Sequence, residues 1–350
     1  MSAIQNLGAR EYIKRFAKLE PQRIAALLLV ILASMSDILI SGSVAYDRVM
    51  SFGGKFQDHI LPDKLDHLAV SFTVDTLTEG FGGTAGNIAY SLSLLGETPT
   101  ILSTVGNDFG KYAAYLAERG IDTASIAVAD DVPTAAGFMM ADAQDNQIAA
   151  FYLGAMARAY NQKIDIQPGK VADAIAIIAA GNNEDMTGFA RSYRALGIRY
   201  LYDPGQQVIR LTPEELKEGI EGAGVLFVNE YEFGVIRERT GWSKEEIATK
   251  VSTIIVTLAE KGTLIMRGAS KTRIAAVPVA NVVDPTGAGD AYRAGYIAGL
   301  IGNLPIETCV QIASTLGAYA VECKGTQNHS FTIAELSKRY SDAYGGALAL

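Results

Sequence analysis

Short apolar runs recur along the chain at residues 38–41, 100–105, 174–180, 199–202, 225–228 and 254–257. Each is too short for a buried helix and lacks the polar alternation of a half-exposed strand, so each reads as a strand buried on both faces. Several end in Gly, Asn or Asp, as strand-to-loop exits do. Amphipathic stretches at 87–95, 110–119, 186–196, 213–221 and 244–251 lie between them and read as helices. This order predicts an α/β fold with a central, mostly parallel sheet covered by helices on both faces. In such a sheet, ligands bind at the carboxyl ends of the strands. Residues 291–301 and 307–322, rich in Ala, Leu and Ile, follow as two more helices.

Two regions break the alternation. Residues 44–81 carry short mixed segments around Gly53-Gly54, and residues 134–153 read as a β pair, 135–141 with 147–153. Together they predict a small β-sheet lid over the mouth of the main sheet. The chain has 350 residues, 49% of them hydrophobic and 19% charged, enough for a sizeable buried core. Its net charge of −8 argues against a nucleic-acid polymer as partner. The two cysteines, Cys309 and Cys323, form no CxxC pair and are expected as buried thiols in a helical stretch. His59, His67 and His329 lack metal-ligand spacing. Residues 24–33 are an apolar run of ten behind Arg15, Lys18 and Arg23. A bilayer span needs about 20 residues, so no stable membrane insertion is expected. Residues 1–36 read as an extension outside the domain, consistent with a misplaced start, and the protein is expected in the cytoplasm.

The densest chemistry is Asp284-Pro285-Thr286-Gly287-Ala288-Gly289-Asp290, which runs into the 291–301 helix. Gly287 and Gly289 permit backbone torsions closed to other residues and close approach of a ligand. Helix-start amides are unpaired, and with the helix dipole they form an anion site. Such a site suits a phosphoryl group in transfer. Asp290 is a poor choice for binding phosphate, but it suits a base that takes a proton from an attacking hydroxyl; its plain alternative is an N-cap. A second motif, Gly82-Gly83-Thr84-Ala85-Gly86-Asn87, places close-approach glycines before a helix, and Asn87 offers both a donor and an acceptor. Gly106-Asn107-Asp108-Phe109-Gly110-Lys111 is one residue short of a phosphate loop, and Tyr112 stands where Ser or Thr belongs. Gly287-Ala288-Gly289 lacks the third glycine of a dinucleotide fingerprint.

These motifs, their order and their separation resemble the PfkB/ribokinase-like family of carbohydrate and nucleoside kinases over about residues 37–340, leaving 341–350 as a tail. Ser41-Gly42-Ser43-Val44-Ala45-Tyr46-Asp47 is similar to the family's first strand, which ends in an Asp that binds sugar hydroxyls. Asn229-Glu230-Tyr231-Glu232 resembles the Asn-x-x-Glu segment that organises magnesium and its waters. Thr257-Leu258-Ala259-Glu260-Lys261-Gly262 resembles the nucleotide-site strand and loop, with Ala259 where the family usually has Gly. The resemblance implies ATP held by Asn229, Thr257, Glu260, Gly262 and Thr286, with its γ-phosphoryl group at the Gly287, Ala288 and Gly289 amides. It implies Mg2+ held partly through water near Glu232 and Asn229, and K+ near Asp284 in some relatives. Asp290 is then the base, and Asp47, Gly82, Gly83 and Asn87 hold the acceptor molecule. The 321–329 segment resembles that of adenosine-kinase-like members, Arg293 stands where many sugar kinases have no Arg, and Phe151 and Met156 add an aromatic and a Met to the lid that suit stacking on a base. These features favour a nucleoside, adenosine or a related one, phosphorylated on its primary 5'-type hydroxyl. A ribokinase- or fructokinase-like sugar kinase is the alternative, and a non-catalytic nucleoside- or sugar-binding regulator is the second. Some relatives form homodimers through lid strands.

Overall fold

The computed structural model describes residues 37–60, 66–67, 69–144, 146–164, 166 and 171–348. The extension expected over 1–36 lies outside them. In chain order the elements begin β1 (Ile38–Ser41), β2 (Ala45–Ser51), β3 (Thr76–Gly82), α1 (Thr84–Leu94), β4 (Thr100–Leu102), β5 (Thr104–Gly106), α2 (Gly110–Ala117) and β6 (Ala127–Ala129). Then come β7 (Ala135–Ala141), β8 (Gln147–Tyr152), β9 (Ile175–Ala179), α3 (Asn183–Leu196), β10 (Arg199–Asp203), α4 (Pro213–Ile220), β11 (Val225–Asn229) and α5 (Glu230–Thr240). The chain closes with α6 (Lys244–Lys250), β12 (Thr253–Thr257), β13 (Thr263–Arg267), β14 (Ser270–Ile274), α7 (Ala288–Ile301), α8 (Ile306–Val321) and α9 (Ile333–Tyr344).

The main sheet runs in the order β14-β13-β12-β11-β10-β9-β1-β4. From β12 to β4 every neighbour is parallel, and the β13–β14 hairpin adds two antiparallel strands at one edge. Alternate residues of each strand enter opposite cores, as the strand period of two requires. Ile38, Ile40, Ile175, Ile177, Leu201, Phe227 and Ile255 join the cluster with α1, α7 and α8. Leu39, Ala176, Ile178, Tyr200, Leu226, Val228 and Ile254 join the one with α3, α4 and α6. Both faces are dry, which is why the strand sequences read as unbroken apolar runs. Among the described residues, four helix starts carry reciprocal capping boxes: Thr212 with Glu215, Asn229 with Glu232, Ser243 with Glu246 and Thr332 with Glu335.

A second sheet, β3-β2-β7-β8, is the lid-like subdomain. It pairs β2 parallel to β7 and the other neighbours antiparallel. It joins the main sheet at two short connections, between β1 and β2 and between β3 and α1. The second connection is tied down where the Thr84 hydroxyl donates to the Ala180 carbonyl at 2.7 Å.

The structure differs from the sequence expectations in four places. The 100–105 run breaks at Ser103 into β4, in the main sheet, and β5, which pairs with β6. The β13–β14 hairpin, α5 and α9 have no counterpart in the apolar pattern, because they lie at the sheet edge or on the surface. α9 runs through Tyr344, so a tail boundary at 341 falls inside a helix. Cys309 is buried on α8, but Cys323 lies beyond the end of that helix and is partly exposed.

Candidate active site

Loops leaving the carboxyl ends of β1, β9, β10 and β11 meet the start of α7 around a cavity of about 320 Å3. α7 starts where Gly287 turns into the left-handed region at φ 78°, which glycine adopts without the Cβ penalty. A Cβ there would also stand 2.9 Å from Thr326 Cγ2. Asp284 fixes the loop ahead of it. Its two carboxylate oxygens accept from the Thr286 and Gly325 amides, each at 2.9 Å. Asp284 therefore staples two loops together.

Asp290 lies in the first turn of α7, beside the amides that a helix start leaves without intrahelical partners. Dense packing pushes its carboxyl up to about 7; donation from Asn87 opposes this rise, and the charge of Asp203 adds to it. Asn87 Nδ2 donates to Asp290 Oδ2 at 2.7 Å. Across the cavity, burial raises Asp47, the Thr326 hydroxyl opposes that rise, and Asp284 adds to it. Gly82 makes room for Asp47, since a Cβ on it would lie 2.2 Å from Asp47 Oδ2.

Arg293 and Asp203 form a buried two-pronged pair, at 2.9 Å from Nε and 2.8 Å from Nη2. Burial alone would lower the guanidinium; the Asp203 charge outweighs it and holds Arg293 firmly protonated. Its face also packs 5.0 Å from the Phe227 ring centroid. Arg293 borders the cavity, with Nε and Nη2 on Asp203 and Nη1 donating to the Gly289 carbonyl at 3.2 Å.

Of the residues singled out in the sequence, Asp47, Gly83, Asn87, Phe151, Glu232, Thr286, Gly287, Gly289, Asp290 and Arg293 border this one cavity. Gly82, Ala288 and Asp284 are close in the chain to lining residues but do not themselves line it. Asn229, Thr257, Glu260 and Gly262 lie on the neighbouring loops at the ends of β11 and β12, outside it. Met156 does not reach the cavity. It is buried against Ala45 and Ala135 and faces a separate small cleft with Arg158 and Asn182. Ser43, Thr84, Ala180, Asp203, Gln206 and Thr326 also line the site. Ser43, Thr84 and Thr326 lie inside the 41–47, 82–87 and 321–329 strings without being singled out, and Asp203 stands in the Asp-Pro-Gly exit of a strand, which by itself marks a turn. The loop that resembled a phosphate loop is a structural turn in which Asp108 caps the Thr134 amide at 2.7 Å.

Asn229 and Glu232 cap α5 reciprocally, each accepting the other's backbone amide at 2.8 Å. Burial, and then the charge of Asp203, raises Glu232 above its usual range. Among the described residues no group of three or more His, Cys, Asp and Glu could hold a metal ion by itself. The cavity-facing Glu232 carboxylate still fits Mg2+, which keeps several waters and binds through one or two carboxylates plus substrate phosphates.

A mostly parallel sheet with a small lid-like second sheet and a Gly-rich helix start at its carboxyl edge is the architecture of a ribokinase-fold phosphotransferase acting on a hydroxyl group. The sequence profile of the pfkB family carbohydrate kinases matches residues 47–333, and the chain belongs to that family. The fold is similar to that of the Burkholderia thailandensis nucleoside kinase solved in complex with inosine. The two share 33% identity over 89% of this chain and 99% of that one, with a TM-score of 0.76. The same enzyme in complex with ADP-inosine gives 34% identity, 89% and 97% coverage and a TM-score of 0.74. The Methanocaldococcus jannaschii nucleoside kinase, an archaeal member of the ribokinase family, is 27% identical over 88% of this chain and 99% of its own, with a TM-score of 0.78.

Proposed function

We propose that this chain is an ATP-dependent nucleoside kinase that phosphorylates the primary 5'-type hydroxyl of its acceptor. The observation that carries the reading is a single cavity shared by Asp290, the start of α7, Asp47 and the lid aromatic Phe151. Asp47 offers acceptors to a pair of ribose hydroxyls, and Phe151, half exposed on β8, offers a face to a base. Similarity to nucleoside kinases at 33% identity supports the nucleoside over the free sugar.

In this reading Asp290 takes the proton of the acceptor hydroxyl. The freed oxygen attacks the γ-phosphorus of ATP in line, the bond to the β-phosphate oxygen breaks, and ADP leaves. The amides from Gly287 to Asp290 stabilise charge on the equatorial oxygens. Glu232, with Asn229 through water, would hold Mg2+, which supplies charge neutralisation on the phosphates. With Asp290 near 7, both protonation states are populated close to neutral pH, the useful range for a general base.

A coupled ADP-release assay with purine and pyrimidine nucleosides, ribose and fructose tests the reading. Turnover with nucleosides, at a kcat/KM at least tenfold above either sugar, is expected. Preference for a sugar overturns the nucleoside assignment, and no turnover with any acceptor favours a binding protein. The Asp290→Asn variant should lose about 10²–10⁴ in kcat while still binding nucleoside. Near-normal turnover would remove Asp290 as the base.

A further inference from the structure

A chain of buried hydrogen bonds leads away from Asp290 and ends on the backbone. The Gly82 carbonyl can only accept, and the Tyr112 hydroxyl donates to it at 2.9 Å. That uses the single phenolic proton, so the Tyr112 oxygen must accept from its other neighbour, Gln327 Nε2. The second hydrogen of that amide reaches Asn87 Oδ1 at 2.9 Å. Asn87 is thereby left with its NH2 toward Asp290 Oδ2. Each direction is dictated by the bond before it.

We propose that the Gly82–Tyr112–Gln327–Asn87 chain is a polarity lock, in which Tyr112 and Gln327 act as positioning residues that keep the donor side of the Asn87 amide on the Asp290 carboxylate. Tyr112, Gln327 and Asn87 are all buried, so little bulk water competes for their hydrogen bonds. Gln327 holds a left-handed backbone at φ 57°, unusual for a residue other than glycine, and its Oε1 is buried with no partner. The contacts made by its nitrogen therefore set its orientation, since its oxygen makes none. The lock also explains Gly86. A Cβ there would stand 2.0 Å from the Tyr112 hydroxyl oxygen, so any side chain would push Tyr112 off the chain. Because Gly82 closes lid strand β3, the lock anchors the carboxylate's partner to the lid.

The proposal rests on the reading of Asp290 as base, so its test follows the carboxyl directly as well as through turnover. Asp47 on β2, Asp203 ending β10, Glu232 on α5 and Arg293 on α7 are the charged groups bordering the same cavity. Tyr112→Phe and Gln327→Met alter none of them. The Asp290 carboxyl is titrated by ¹³C NMR, its signal assigned by its loss in Asp290→Asn, alongside the pH profile of kcat. In each variant that melts cooperatively, the carboxyl should titrate about one pH unit higher, because the neutral lock no longer steadies the charged form. The acid limb of kcat should move with it, while the nucleoside KM stays within about twofold. An unmoved titration in a folded variant overturns the lock. A moved titration with an unmoved kcat limb keeps the lock and removes Asp290 as base. Neutron diffraction of the wild-type protein at pH 8 gives an answer even if both variants fail to fold. Deuterium on Asn87 facing Asp290 supports the lock, and the opposite orientation of the amide overturns it.

Discussion

Burial raises Asp290 from 3.8 to about 7 on folding, so the folded chain holds a proton that the unfolded chain releases between those values. Its contribution to stability is therefore present below the unfolded value and lost as pH rises through the folded one. Asp290→Asn removes this penalty, and the variant should be more stable than wild type at pH 8 by about 1–3 kcal/mol. The gain should shrink toward zero near pH 4, as urea melts at the two pH values would show; an equal gain at both would mean the effect is packing. Ala259 makes a different local point. It stands at φ 50°, where the family usually has Gly. Left-handed backbone costs an L-residue about 1–2 kcal/mol, and Gly gives back about 0.5–1 kcal/mol in unfolded-state entropy. Ala259→Gly should therefore stabilise by about 0.5–1 kcal/mol, readable as a higher denaturant midpoint at an unchanged slope. The sequence carried the 284–290 string clearly because its chemistry is local. It could not carry the Asn87–Asp290 bond, which spans 203 positions, or the Arg293–Asp203 pair, which spans 90. Partners that only folding brings together leave no mark on spacing.

Asn229-Glu230-Tyr231-Glu232 shows how one segment serves two levels of organisation. As a helix start it is a reciprocal cap of α5, and as a wall of the cavity it offers the Glu232 carboxylate. The two roles separate by substitution. Gln preserves the reach of a capping box, so Glu232→Gln should cost less than about 0.5 kcal/mol of stability. If Glu232 helps to hold Mg2+, the same variant should need about tenfold more Mg2+ for half-maximal rate; an unchanged Mg2+ requirement would restrict Glu232 to capping. The strands were legible because a sheet buried on both faces writes unbroken apolar runs. The β13–β14 hairpin was not, because its outer strand Ser-Lys-Thr-Arg-Ile borders water and carries charge. In the lid the pairing of residues 135–141 with 147–153 was readable, one residue beyond the observed end of β8, but which side chains face inward was not. Phe151 turns to the cavity, while Met156, just past the strand, turns away from it. Phe151→Ala should raise nucleoside KM by about tenfold with kcat within about threefold, since stacking on a base acts alike in ground and transition states.

At the scale of the whole molecule, the cavity residues come from strand ends and loops at the carboxyl edge of the sheet, from the first turns of α1, α5 and α7, from the loop after α8 and from the lid. No single segment contains the site. The alternation of runs implied a parallel sheet and therefore a site at this edge. The order β10-β9-β1-β4, which sets Ser43 and Ala180 beside Asp203, came only from packing. A site distributed in this way couples ligand binding to the stability of the whole fold, because its walls exist only when all the strands are in register. Saturation at a hundred times Kd stabilises by about 2.7 kcal/mol. For a chain larger than 250 residues each kcal/mol raises Tm by about 2 °C. Nucleosides at that concentration should therefore raise Tm by about 5 °C, and ribose at the same concentration by less than about 1 °C, because a free sugar leaves Phe151 without a base to cover. Equal shifts for ribose and nucleosides would place recognition in the Asp47 hydroxyl contacts alone and return the assignment to a sugar kinase.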